Sequence, residues 1–171
     1  MRLTTALLAF AAGALAMPSG TTGNEPSKVA ARASTTHIIF VSNYGIGADN
    51  FQAKAGDILE FRFSVGTHSV TQASFGEPCK YLEGGFASGL LVTYPDESQN
   101  EMAFQVTVQD DDPIWFYKGG VRNCHTHGHV GVVNPPDNGQ SYDNFRTAAL
   151  QRENTEEIGR RTGGTLVKID D

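Results

Sequence analysis

A chain of 171 residues has room for one domain with tails, and its formal net charge of −6 disfavours nucleic acid and anionic lipid as partners. It contains no Gly-x-Ser-x-Gly elbow, phosphate-binding glycine loop or His-Glu-x-x-His metalloprotease signature, so the common hydrolase chemistries lack their residues.

Residues 1–16 read as a secretory signal peptide. Arg2 supplies the positive start, residues 3–15 are almost wholly apolar, and Ala14-Leu15-Ala16 is a small-x-small cleavage pattern. That run is shorter than the roughly 20 residues needed to span a bilayer. No later stretch is apolar enough either, so the expectation is a secreted, extracellular protein with no membrane span. The last residues, Lys168-Ile169-Asp170-Asp171, do not form the hydrophobic tail of a glycolipid-anchor signal, and no lipid anchor is expected. Residues 17–34, rich in Gly, Ser, Thr, Pro and Ala, read as a flexible lead-in.

Ordered sequence begins near residue 35. His37-Ile38-Ile39-Phe40-Val41 is a β-rich run closed by the turn Ser42-Asn43-Tyr44-Gly45. Beyond the turn at 53–57, Leu59, Phe61, Phe63 and Val65 alternate with Glu60, Arg62 and Ser64. This period of two predicts a strand with one buried and one wet face. Residues 74–95 have no sustained period and read as a long irregular connection. A second alternating strand is predicted over 101–109, a short apolar strand over 114–117, and a final one over 130–133, stopped by Asn134-Pro135-Pro136. The run Asp110-Asp111-Asp112-Pro113 reads as a solvated turn. Tyr142, Phe145, Ala149 and Leu150 approximate a helical stripe, followed by a tail. Short strands separated by turns, with little helix, indicate an all-β sandwich or barrel.

The two cysteines, Cys79 and Cys124, suggest a disulfide in a secreted chain, the alternative being two free buried thiols. The five histidines are unevenly spread: His37 and His68 stand apart, whereas Cys124-His125-Thr126-His127-Gly128-His129 holds three. Imidazole is a common ligand of copper and zinc. In an extended chain, His125, His127 and His129 would share one side and could converge with His68 on a metal ion. A turn at Gly128 would break that regularity, and the alternative is a set of solvated loop histidines.

The order of short motifs carries a resemblance. His68-Ser69-Val70-Thr71-Gln72-Ala73-Ser74-Phe75 is followed by Glu77-Pro78-Cys79 and Gly84-Gly85-Phe86-Ala87-Ser88-Gly89. Then come Phe104-Gln105-Val106-Thr107-Val108, Pro113-Ile114-Trp115-Phe116-Tyr117 and Gly128-His129-Val130-Gly131-Val132-Val133-Asn134-Pro135. Over residues 36–136 the chain resembles fungal extracellular cupredoxin-like proteins, relatives of plantacyanins and stellacyanins. The resemblance implies a cupredoxin-type Greek-key β-sandwich over 35–136, with a short C-terminal helix and tail over 137–171.

In that family copper is held by two histidines, a cysteine thiolate and a weak axial residue. The resemblance matches the first histidine to His68, the thiolate to Lys118, the second histidine to Asn123 and the axial residue to His129. It also pairs Cys79 with Cys124. A second alignment matches Cys124 to the ligand histidine and His125 to the structural cysteine, leaving Cys79 unpaired.

A blue site needs the copper–thiolate bond, and lysine offers no soft donor. The expectation is therefore a non-enzymatic cupredoxin-fold protein binding copper through a non-blue site drawn from His68, His125, His127 and His129. The alternative is a metal-free extracellular interaction module with a partner at a cell wall or host surface.

Overall fold

The computed structural model describes residues 32–47 and 50–169; the expected signal peptide and nearly all of the lead-in lie outside the described residues. The first sheet follows from the period-two pattern. Strands β1 (Thr36–Ser42), β2 (Gly45–Ile46), β4 (Ile58–Phe63), β8 (Met102–Thr107) and β11 (Thr165–Lys168) assemble in the order β11-β8-β4-β1-β2. β1 and β4 run parallel, with His37 opposite Leu59 and Val41 opposite Phe63. Ile39, Val41, Leu59, Phe61, Phe63 and Phe104 are fully buried on its inner face.

The outer face of β4 departs from the expectation of a wet surface. Glu60 is only 7% exposed. Its carboxylate accepts hydrogen bonds from Arg62 Nε (2.7 Å) and Gln105 Nε2 (2.7 Å), which supply the partners that a buried charge requires.

The second sheet has the order β3-β10-β9-β6, with β3 at Asn50–Phe51, β6 at Val70–Ala73, β9 at Ile114–Lys118 and β10 at Val130–Val133. β9 and β10 carry apolar residues on both faces because both faces are covered. Phe116 points between the sheets and meets Phe61 edge-on, with ring centroids 5.4 Å apart. Trp115 and Tyr117 point outward into a second core built from Phe145, Ala149, Cys79 and Cys124. Helix α2 (Tyr142–Ala149), capped by Ser141 Oγ accepting from the Asn144 N–H, covers that face. Phe145 and Ala149 are buried as the stripe predicts, while Leu150 ends the helix exposed.

The connection over 74–95 is irregular for most of its length, but contains a short strand, β7 (Leu91–Thr93), paired with β5 (Gly66–His68). The C-terminal segment is docked onto the sandwich. Residues 151–164 run back over it, with the Glu156 N–H donating to the Cys79 carbonyl (2.9 Å) and Ala87 and Thr162 exchanging N–H···O bonds (2.9 Å each). β11 then pairs with β8, Leu166 opposite Phe104. Among the described residues, no helix is long and apolar enough to cross a membrane.

Candidate functional site

Three adjacent strand ends of the second sheet bring chemistry together. Lys118 closes β9; its backbone N–H donates to the His129 carbonyl just before β10 (2.9 Å), and its partner on β6 is Val70, two residues after His68. Alternation along β9 turns Lys118 to the same side as Phe116, toward the space between the sheets. Lys118 is 2% exposed. Its Nζ donates to the main-chain carbonyl of Ser42 at 2.7 Å, and burial pushes the amine below the ordinary lysine range.

His68 is buried against this amine. Its Nε2 lies 3.1 Å from the Val65 carbonyl. A carbonyl can only accept, so Nε2 carries the proton and Nδ1 keeps a bare lone pair. That Nδ1 is buried without a hydrogen-bond partner. Burial lowers the His68 pKa, the Val65 bond opposes this, and the Lys118 charge lowers it further.

His129 is the counterpart on β10. Its Nδ1 is likewise buried and unpartnered. Burial, then the charges of Lys118, His127 and Arg146, bring its pKa down to about 4, so the ring is neutral at physiological pH. Each imidazole packs on a glycine with positive φ. A Cβ on Gly45 (φ +132°) would lie 3.3 Å from His129 Cδ2, and one on Gly66 (φ +118°) would lie 3.1 Å from His68 Nε2. The side-chain-free backbone lets the rings approach this closely.

The remaining histidines do not join them. Residues Asn123–His127 form a short helix, α1, ended by Gly128 in the left-handed conformation. The extended chain that would align His125, His127 and His129 is absent: residues two apart on a helix point about 200° apart. His125 turns toward the C-terminal segment, its Nδ1 2.8 Å from Thr155 Oγ1. His127 lies beside His129, ring centroids 5.4 Å apart. Asn123 braces its loop by donating to the Gly119 carbonyl (2.6 Å). His37 is remote, bound to Asp57 (3.1 Å). Among the described residues there is no group of three or more His, Cys, Asp or Glu side chains able to share a metal ion.

No family model matches the chain. The chain is 30% identical over 137 residues to a probable GPI-anchored cupredoxin of Arthroderma benhamiae, an alignment covering 79% of this chain and 69% of that protein. This chain belongs to the cupredoxin family. It is also 31% identical over 119 residues to an extracellular serine-rich protein of the same fungus, of which it spans 45%.

The cupredoxin's donor set can now be tested against a blue copper ion, and it does not fit. Cys79 and Cys124 are joined to each other, S–S 2.04 Å, both buried, and the chain has no further cysteine, so no thiolate remains. At the position that the resemblance assigns to the thiolate stands the Lys118 amine. What does fit a cation is the pair of bare imidazole nitrogens, and the cation beside them is the protein's own ammonium. Sequence reasoning missed the Ser42 carbonyl that anchors Lys118, because every residue carries a carbonyl and no residue type marks it. It also missed Arg146, which reads only as a charged position between helical apolar residues.

Proposed function

We propose that this cupredoxin is an extracellular, non-enzymatic recognition module in which the Lys118 ammonium holds the place of the family's metal. The observation that carries the reading is a lysine amine 2% exposed, anchored on the Ser42 carbonyl and close enough to His68 and His129 to lower both pKa values. Without a thiolate, the chemistry of a blue electron-transfer site has no donor. The extracellular setting is supported by the signal-peptide pattern and by relatives described as GPI-anchored and extracellular.

The bare Nδ1 atoms of His68 and His129 favour one second reading: a non-blue Cu(II) site that forms when Lys118 gives up its proton. Burial already moves the amine in that direction. Nitrogen donors suit Cu(II) or Zn(II), and His68 and His129 would hold the ion.

Calorimetric titration with Cu(II) at neutral pH separates the two. The expected result is no specific binding by the wild type and binding by Lys118→Leu, which removes the charge without adding a ligand. The Lys118→Leu complex should lack the intense thiolate band and lose its affinity in the Lys118→Leu/His68→Ala double variant. Wild-type binding as tight as that of Lys118→Leu, abolished by His68→Ala or His129→Ala, would replace the first reading with the second.

A further inference from the structure

The recognition reading leaves the partner unstated, and a groove next to His129 supplies its chemistry. The groove encloses about 410 Å³ between the turn after β1 and helix α2. Its walls include Tyr44 and Tyr142, its floor Gly128 and His129, and its rim His127 and Arg146. Although the whole chain carries a formal charge of −6, none of the described residues lining the groove is Asp or Glu.

Two cations flank it. Arg146 lies across Gly128, where a Cβ would sit 3.0 Å from both its Cγ and its Nε. The glycine therefore provides the flat surface on which the guanidinium stem rests. Among the described residues, Arg146 makes one long hydrogen bond, from Nη2 to the His127 carbonyl at 3.4 Å, leaving most of its five donors available. Lys118 lies behind the His129 ring, and its charge and that of Arg146 both act on that ring. A planar guanidinium matches a carboxylate's two oxygens.

Tyr44 is 97% exposed, a ring held at the groove mouth with nothing covering it among the described residues. An exposed aromatic face beside a polar cleft suits the C–H face of a sugar better than an apolar peptide or an acyl chain. We propose that this groove binds an acidic saccharide, with Arg146 taking the uronate carboxylate and Tyr44 stacking on the sugar ring. The assignment rests on the recognition reading above, and names the partner that reading lacks.

The test is calorimetry with a short oligogalacturonate and, as its uncharged counterpart, the fully methyl-esterified oligomer. The acid form should bind and the ester should bind at least about tenfold more weakly, the loss of one charge-assisted hydrogen bond. Arg146→Gln should cost a similar factor; Arg146 is exposed, so the variant keeps the fold, checked by circular dichroism. Tyr44→Ala should weaken both oligomers by a common factor. Binding should also fall as salt rises.

Equal affinity for acid and ester, no binding of either, or an Arg146→Gln variant that binds like the wild type would overturn the assignment. Such failure is distinct from failure of the recognition reading. The copper titration of wild type and Lys118→Leu tests that reading without any saccharide present.

Discussion

His129 offers a quantitative check on how the site treats positive charge. Its pKa in the folded, metal-free protein is about 4 against an ordinary 6.5. Between those two values the unfolded chain binds a proton that the folded chain refuses, so stability rises with pH across that window. It is fully present above about pH 6.5 and is lost as pH falls toward 4.

The gap of about 2.5 pH units, at about 1.4 kcal/mol each, sets a ceiling near 3 kcal/mol. The ring is half-buried, and solvent screening reduces the contribution to about 2 kcal/mol. His68, also lowered, adds to the slope with the same sign. Replacing His129 by Gln removes one titrating group while preserving a similar side-chain volume. Urea unfolding of both proteins from pH 4 to pH 7.5 should show a shallower rise for His129→Gln, the difference amounting to about 2 kcal/mol over the window. Parallel stability curves would refute the argument, because they would mean that His129 takes up its proton as readily folded as unfolded.

Two further outcomes test the scaffold. Cys79 and Cys124 close a loop of 45 residues, so the Cys79→Ala/Cys124→Ala variant should lose about 4 kcal/mol in the chain-entropy account, read as a lowered denaturation midpoint; a loss under about 1 kcal/mol would contradict that account. A Cβ on Gly131 would lie 2.4 Å from Phe116 Cε2; Gly131→Ala therefore should overpack the core by about 1–3 kcal/mol, visible as a lower thermal midpoint, and an unchanged midpoint would show that Phe116 can move aside.

The sequence by itself determined the parts of this protein that depend on local periodicity and residue chemistry. Alternation in Leu59, Phe61 and Phe63 specifies a strand with a buried face, because side chains in a strand switch sides at each residue. The Phe145/Ala149 spacing specifies a helix packed through one stripe. Two cysteines in a chain with a secretory leader pattern point to a single pairing, which the Cys79–Cys124 bond fulfils. Lysine at position 118 rules out a thiolate there by chemistry alone.

Tertiary structure decided the features that depend on partners distant in sequence. Glu60 is buried because Gln105, 45 residues away, supplies a donor across the sheet. The segment Thr165–Lys168 has no strong pattern of its own, yet becomes a strand because β8 presents an edge for it. The histidine cluster fails to converge because residues 123–127 close a helical turn and Thr155, arriving from the C-terminal segment, engages His125. Lys118 can stay buried because Ser42, 76 residues upstream, turns its carbonyl inward. A main-chain carbonyl is common to every residue, so only the folded backbone determines which one meets the amine.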